Sequence, residues 1–215
     1  MKTLFLILII IMQSGFIISA QKVAGNYDRD NRLRIKMLNN IVLSDSIRNF
    51  LEEMDRPFQE AIESLYPAFM VESLTGDTIT EHDLLGKVTL INFWFSACTP
   101  CIAEISVLDA LYKKIKDNTN FQFVSFCTDP FDEVRKFAGK YQMTYPVYPI
   151  SRDKFSDLLI RGFPINFVVN QEGRIVYCNR GGLVENGKAT EEMQKMEQFI
   201  MTSLSGKNYA WDTQE

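Results

Sequence analysis

The stretch Val88–Phe95 constrains the fold more than any other part of the chain, because it is almost wholly apolar (VTLINFWF). A strand that is apolar on both faces needs cover on both faces, which is typical of a sheet with parallel strands. The residues that follow have helical periodicity from Cys98 to about Lys116, with apolar side chains on one stripe. A buried strand that leads into a helix in this way indicates an α/β domain.

The rest of the main domain, residues 67–206, continues the same alternation. Its other predicted elements are, in chain order, a hairpin of Ala68–Ser73 and Asp77–Thr80, a strand at Phe121–Phe126, a helix from Asp129 to about Tyr141, a second hairpin of Ile165–Val169 and Arg174–Tyr177, and a helix that starts near Thr190. This order predicts a central mixed β-sheet with helices on both faces. Residues 207–215 are predicted to be a C-terminal tail.

Residues 1–20 are predicted to be a secretory signal peptide rather than part of the fold. Lys2 gives a positive start, Leu4–Met12 is an unbroken apolar run, and the small residue Ala20 stands at a plausible cleavage point. An uncleaved signal would instead serve as a membrane anchor. The protein is therefore expected in the periplasm or elsewhere outside the cytoplasm.

Residues 21–66 are expected to form a helical extension that packs on the main domain. Two amphipathic helices are predicted in it from two apolar sets at helical spacing, one before Pro57 (Ile47, Phe50, Leu51 and Met54) and one that runs to Pro67 (Ala61, Ile62 and Leu65).

The charge of the chain argues against a nucleic-acid partner. The formal net charge is -4, and the sequence contains no long run of Lys or Arg. Binding along a phosphate backbone requires a basic surface, which such a composition does not predict.

The motif Cys98-Thr99-Pro100-Cys101 stands where the buried strand ends and the helix begins. Unsatisfied N–H groups and the helix dipole stabilise a thiolate at such a point. The thiolate is the attacking species in disulfide exchange. Cys101 follows by nearly one helical turn, so it can resolve a mixed disulfide by attacking Cys98. The pair is therefore a candidate redox centre, in which Cys98 attacks and Cys101 resolves.

Three other interpretations of the pair stay open from the residues alone. A zinc site would need two further soft ligands, and the chain offers a single His, His82, and the isolated Cys127 and Cys178. A purely structural disulfide would close a very small loop and would constrain little of the unfolded chain. A peroxide-reducing cysteine is usually preceded by Pro and Thr, which are absent here. The redox interpretation is preferred, and no metal is expected.

The segment from Asn92-Phe93-Trp94 through the two cysteines to Glu104 resembles the TlpA/ResA type of extracytoplasmic thiol–disulfide oxidoreductases, which have a thioredoxin-like fold. The resemblance covers about residues 67–205. Gly162-Phe163-Pro164-Ile165 resembles the second signature of that family, in which the proline peptide is cis and faces the dithiol.

The resemblance implies which residues carry the chemistry. Cys98, Cys101 and Glu104 would be catalytic, with the carboxylate of Glu104 either moving protons during exchange or raising a thiol pKa by like-charge repulsion. From the residues alone, Glu104 could equally be a solvated carboxylate that the helix dipole favours.

The resemblance also implies which residues contact substrate and which partners the protein has. Substrate would contact Thr99, Pro100, Phe163 and Pro164. The expected partners are protein thiols and disulfides together with an upstream electron donor in the membrane or the periplasm. No bound cofactor is expected, because the cysteines themselves carry the two electrons.

The sequence departs from the family pattern at Ala97, where the family usually has Trp, at Thr99, where Gly or a charged residue is more common, and at Ser106, which replaces a frequent Pro. Asn92 also occupies the place where thioredoxins proper carry a buried Asp. These differences concern partner specificity and proton transfer rather than the dithiol itself.

Cys127 and Cys178 are expected to be unpaired thiols. They end the second and fourth core strands, which this topology separates by two other strands, a distance beyond the reach of a disulfide. Cys178 is expected to be the more exposed of the two.

The leading functional hypothesis is an exported enzyme that exchanges disulfides with cell-envelope proteins, in the reducing direction. One alternative is a thioredoxin-fold module that binds a client with little turnover. Another is a dedicated reductant in cytochrome maturation, as the resemblance implies for some relatives.

Overall fold

A computed structural model describes residues 53, 56–154, 157–160, 162–180, 184–185, 188–189 and 191–206 of the chain. The predicted signal peptide, the first predicted helix of the extension apart from residue 53, and the C-terminal tail lie outside the described residues.

The chain contains nine described strands and three long helices. The strands are β1 (Met70–Glu72), β2 (Thr78–Thr80), β3 (Val88–Trp94), β4 (Phe121–Cys127), β5 (Val147–Pro149), β6 (Ile165–Val169), β7 (Ile175–Arg180), β8 (Val184–Glu185) and β9 (Lys188–Ala189). The helices are α1 (Thr99–Ile115), α2 (Phe131–Lys140) and α3 (Glu191–Leu204). Two short 3-10 segments, Glu81–Leu84 and Arg152–Lys154, lie before β3 and after β5.

Five strands form the central sheet, in the order β5-β4-β3-β6-β7. β3 runs parallel to β4, and β4 runs parallel to β5, whereas β6 is antiparallel to both β3 and β7. β3 lies in the middle of the sheet, and all of its residues are buried. The prediction of a central mixed sheet around this apolar strand is confirmed.

The two faces of the sheet are covered unequally. One core cluster contains buried residues of α1, α2 and α3 together with alternate residues of the strands, such as Leu90 and Trp94 of β3. The other cluster contains the intervening residues, such as Ile91 and Phe93, and is closed by Phe58 and by the β1–β2 hairpin. Successive right-handed crossovers in one direction, β3 to β4 to β5, bring α1 and α2 to the same face.

The helical stretch before the main domain differs from the predicted one. Residues 56–61 are helical, so Pro57 lies inside this stretch instead of interrupting it. The predicted continuation to Leu65 is wrong, because Glu63 has a φ of 68° and a helix cannot continue through that conformation. Leu65 is 61% exposed and forms an isolated β-bridge with Arg174.

Segments that precede β3 also bond to the outer strands of the sheet. The Glu63 and Tyr66 N–H groups donate to the Ile175 and Gly173 carbonyls, each at 2.8 Å. At the other side, the Leu74 N–H in the β1–β2 turn donates to the Val147 carbonyl of β5 at 3.1 Å. These bonds attach residues 63–74 to both sides of the central sheet.

Candidate active site

Cys98 and Cys101 form a disulfide at the start of α1, with their Cα atoms 5.2 Å apart. Cys98 is the N-cap of the helix, and its sulfur accepts the Cys101 N–H at 3.3 Å. Thr99 and Pro100 occupy the first two helical positions and are exposed. Pro is tolerated there because that position needs no N–H donor within the helix.

This position determines what the pair can do chemically. A sulfur that accepts an N–H bond at the positive end of a helix is stabilised as a thiolate once the disulfide is reduced. Cys98 is 5% exposed and Cys101 is 3% exposed. Both cysteines therefore belong to the buried core at the N-terminal end of α1.

The loop before β6 lies against the segment that leads to Cys98. The Phe163–Pro164 peptide is cis. The Phe163 ring packs edge-on against Phe95, with centroids 5.1 Å apart, and the Phe95 carbonyl accepts the Cys98 N–H at 3.1 Å. Phe163 also packs against the core cluster that contains both cysteines. The structure thus brings the two predicted signatures to one region of the surface.

Glu104 lies on α1 one turn beyond Cys101, and it is 1% exposed. The interpretation of Glu104 as a solvated carboxylate is therefore wrong. Its Oε2 accepts a hydrogen bond from Asn166 Nδ2 at 3.2 Å. Asn166 lies in β6, two residues after the cis proline.

A row of polar side chains crosses the sheet beside this carboxylate. Ser125 of β4, Asn92 of β3 and Asn166 of β6 are register partners on adjacent strands, and all three are buried. Asn92 Nδ2 donates to Asn166 Oδ1 at 2.9 Å, and the Ser125 hydroxyl donates to Asn92 Oδ1 at 3.3 Å. Sequence reasoning singled out Asn92 alone. The available signal for the others was a polar residue inside an otherwise apolar strand.

Asp129 connects the end of β4 to the segment before Cys98. Its Oδ2 accepts the Ser96 N–H at 2.6 Å and the Cys127 thiol at 3.6 Å. Burial raises the pKa of Cys127 to about 12, and the adjacent Asp129 carboxylate adds to that rise. Cys127 is therefore a neutral thiol at physiological pH. Sequence reasoning assigned Asp129 only to the start of a helix.

Neither Cys127 nor Cys178 forms a disulfide, as predicted. They lie on β4 and β7, which are separated by β3 and β6. Cys127 is buried and Cys178 is half-buried, so the expected difference in exposure is also confirmed.

The described part of the chain has neither a metal-binding cluster of side chains nor a membrane-spanning helix. Among those residues, no three His, Cys, Asp or Glu side chains lie in an arrangement able to hold a metal ion. In the same residues, no helix combines the length and the apolar character needed to cross a membrane.

A family model described as the AhpC/TSA family matches residues 62–178. Among curated relatives, the thioredoxin-like protein YneN of Bacillus subtilis is 29% identical over 111 residues, which are 51% of this chain and 65% of YneN. The thiol–disulfide oxidoreductase ResA of Bacillus cereus is 26% identical over 160 residues, which are 71% of this chain and 90% of ResA. The chain thus spans about two thirds of the first relative and most of the second.

Solved structures with the same arrangement include two from Bacteroides. The thioredoxin domain of a thiol–disulfide oxidoreductase from Bacteroides vulgatus has a TM-score of 0.54 and 27% identity, and the match covers 65% of this chain and 98% of that one. A thiol:disulfide interchange protein from Bacteroides sp. has a TM-score of 0.54 and 25% identity, covering 72% and 95% of the two chains. The central sheet and its helices are therefore those of a thioredoxin-like fold.

Proposed function

This chain belongs to the AhpC/TSA family, with residues 62–178 matched, and from that premise we propose that it is a thiol–disulfide oxidoreductase working through Cys98 and Cys101. One observation carries the proposal: the two cysteines are bonded to each other at the N-terminus of α1, where the Cys98 sulfur accepts the Cys101 N–H. Relatives such as ResA of Bacillus cereus have the same activity in their names.

In the proposed cycle the reduced protein donates two electrons to a client disulfide. The Cys98 thiolate attacks one client sulfur, so that a mixed disulfide forms and the other client sulfur leaves as a thiolate that takes up a proton. Cys101 loses its proton and attacks the Cys98 sulfur. The bond between Cys98 and the client breaks, the client leaves with both sulfurs reduced, and the Cys98–Cys101 disulfide is formed. Oxidation of a client is the same sequence in reverse.

The client is proposed to approach over the exposed Thr99 and Pro100 and over the loop with Phe163 and Pro164. Support comes from the contact between Phe163 and Phe95, which joins that loop to the backbone before Cys98. Glu104 is proposed to accept the proton of Cys101, because its carboxylate is buried one helical turn away.

The site of action is proposed to be outside the cytoplasm. The supporting feature is the charged, apolar and small-residue pattern of residues 1–20, with membrane attachment as the result if that segment is kept. The proposed clients are proteins of the cell envelope, and an electron donor in the membrane or the periplasm would reduce the Cys98–Cys101 disulfide again.

The test is reduction of insulin by dithiothreitol in the presence of the protein. The unaltered protein is expected to accelerate the reaction, and Cys98→Ala is expected to abolish the acceleration. Cys178→Ala, which removes a thiol outside the disulfide, is expected to retain it. Activity that survives Cys98→Ala would contradict the proposed mechanism.

A second variant separates turnover from client binding. Cys101→Ser, with Cys98 retained, is expected to accumulate mixed disulfides with clients, because the resolving sulfur is absent. The protein is a binding module if two results occur together. The unaltered protein would bind clients without accelerating insulin reduction, and the Cys101→Ser variant would form no mixed disulfides. Equilibration with a redox buffer then gives the potential that decides the direction of exchange.

A further inference from the structure

Five polar side chains form one continuous hydrogen-bonded chain through the core. Trp94 Nε1 donates to Ser125 Oγ at 2.8 Å. The chain continues from Ser125 to Asn92 and from Asn92 to Asn166, and it ends at the Glu104 carboxylate. Each of the five side chains is at most 2% exposed. The chain therefore begins on β3, passes through β4 and back through β3 to β6, and ends on α1 inside an otherwise apolar core.

Every hydrogen bond in this chain points the same way. The donor lies on the Trp94 side and the acceptor on the Glu104 side in all four bonds. The indole end sets this direction, because an indole N–H can only donate. Aligned hydrogen bonds polarise one another in a medium of low dielectric constant. A hydrogen bond to an ionised acceptor is stronger than one to a neutral acceptor, so the aligned chain opposes the cost of burying the Glu104 charge.

Two of the titratable groups that interact with Glu104 are phenols. Tyr145, in the segment before β5, and Tyr177, in β7, both interact electrostatically with Glu104. Burial is the main cause that raises the pKa of each phenol. The charge of Asp109 raises the pKa of Tyr145 further, and the charge of Glu192 raises that of Tyr177. Both phenols are therefore neutral at physiological pH. Beside these neutral phenols, the Asn166 amide is an observed hydrogen-bond donor to the carboxylate.

We propose that Asn166, Asn92 and Ser125 are positioning residues that keep Glu104 ionised and fixed in place for proton transfer from Cys101. This inference rests on the proposed function. In the resolving step the Cys101 proton moves to Glu104, the Cys101 sulfur attacks Cys98, and the client sulfur leaves. Thioredoxins carry an acid at the position of Asn92. The Asn92 amide cannot titrate, and here it links by hydrogen bonds to an acid on α1, Glu104.

The experiment measures the pH dependence of the resolving step. Cys98 is first joined to glutathione, and the rate of glutathione release is then followed between about pH 4 and pH 9. The unaltered protein is expected to lose rate in acid as Glu104 becomes protonated. Asn166→Leu removes the last donor, so the midpoint of that acid limb should rise by about one pH unit, with release about tenfold slower below it. Ser125→Ala, two bonds further away, should shift the midpoint in the same direction by less.

A matched control removes a buried hydroxyl outside the chain. Thr89 is also in β3 and fully buried, and its Oγ1 accepts from Gln122 Nε2 at 2.8 Å. Thr89→Val should destabilise the protein to a similar degree and leave the midpoint unchanged. Two results would overturn the proposal. One is a midpoint shift in Thr89→Val as large as that in Asn166→Leu. The other is an unchanged midpoint in both Asn166→Leu and Ser125→Ala.

An infrared measurement separates this inference from the proposed function. The carboxylic-acid band lost in Glu104→Gln reports protonation of Glu104 directly, without any exchange activity. We expect its titration to move to higher pH in Ser125→Ala, a small change suited to the case in which Asn166→Leu does not fold. A shifted band in a protein without exchange activity would refute the proposed function alone. An unshifted band in an active protein would refute the hydrogen-bonded chain alone.

Discussion

The four cysteines occupy three chemical environments. Cys98 and Cys101 are bonded at the start of α1, Cys127 is enclosed beside Asp129, and Cys178 is half-buried in β7. Reactivity of a thiol depends on access and on its thiolate fraction. Burial raises the pKa of Cys127 to about 12, so both factors suppress its reaction.

The two cysteines outside the disulfide, Cys127 and Cys178, are expected to differ in alkylation. With the disulfide intact at pH 8, iodoacetamide should label Cys178 slowly and Cys127 only after denaturation, since one thiol is partly accessible and the other is enclosed and neutral. Peptide mass spectrometry locates the label. Cys178→Ala should then take up none while folded. Labelling of Cys127 in the folded protein would show that the end of β4 opens to solvent.

Residues near one another in sequence could be predicted, and those that meet only across strands could not. The two cysteines lie within one motif, and Pro164 belongs to a recognisable second one. The partners of Glu104 are different: Asn166 is 62 positions away from it, and Asn92 is 74 positions from Asn166. Finding such contacts requires the register of three strands, which hydrophobic periodicity does not provide.

At the scale of elements, Asp109 attaches α1 to the segment before β5. Its Oδ1 accepts the Thr144 N–H at 2.8 Å and the Thr144 hydroxyl at 2.7 Å, and Lys113 forms an ion pair with it one turn along the helix. Burial alone would raise the pKa of Asp109, but these hydrogen bonds outweigh burial and lower it below 3.8. The attachment therefore depends on the charge of this carboxylate.

Asp109→Asn is expected to lower the free energy of unfolding by about 1 kcal/mol near neutral pH. Because the folded pKa is depressed, the stabilising effect is complete above 3.8 and is lost as the pH falls through the lower folded value. Urea unfolding at pH 7 and pH 2 measures the change. The matched control Asp117→Asn alters an exposed Asp just beyond α1. A destabilisation by Asp109→Asn that persists at pH 2 would contradict this account.

The elements themselves were predicted unevenly. β3, β4, α1 and α3 were predicted well because each is long enough to show an apolar run or a helical stripe. β5 has only three residues and ends in a proline, so it has too few positions for a pattern, and it was not predicted. β7 continues to Arg180 beyond the predicted Tyr177, because pairing with β6 holds polar residues in the strand. The β8–β9 hairpin was also not predicted.

At the scale of the whole molecule, the core encloses several phenols. Burial raises the pKa of Tyr66, Tyr145 and Tyr177 above 10.0. The hydroxyls of Tyr66 and Tyr145 have no hydrogen-bond partner in the described part of the chain. These groups remain protonated while the protein is folded, whereas in the unfolded chain they ionise near pH 10.

The protein is therefore expected to lose stability in alkali. A raised folded pKa gives stability that is complete below the unfolded value of 10.0 and is lost as the pH rises toward the folded value. Thermal unfolding by circular dichroism from pH 8 to pH 12 should show a falling Tm, with tyrosinate absorbance appearing together with unfolding. At pH 8 the free energy of unfolding of Tyr145→Phe should equal that of the unaltered protein or exceed it by up to about 1 kcal/mol. Its stability should also fall less in alkali. Tyrosinate formation by these buried residues before unfolding would refute this prediction.

The architecture as a whole could be predicted from the order of strands and helices, since few topologies satisfy it. The unequal cover of the two faces could not. It depends on β5 lying beyond β4, which brings α2 to the same face as α1, and on the helical residues 56–61 closing the opposite face. Neither follows from the periodicity of any single segment.

The bonds from residues 63–74 to β5 and β7 also govern how copies of this protein behave toward one another. An open strand edge can recruit the backbone of another molecule and so begin aggregation. Here Leu74 occupies part of the β5 edge, and Glu63 and Tyr66 occupy the start of the β7 edge. The sequence suggests Pro67 as the boundary of the main domain. A chain shortened to begin there would keep Leu74 on the β5 edge and would lose Glu63 and Tyr66 from the β7 edge. Such a fragment would be prone to self-association through β7, however intact its dithiol.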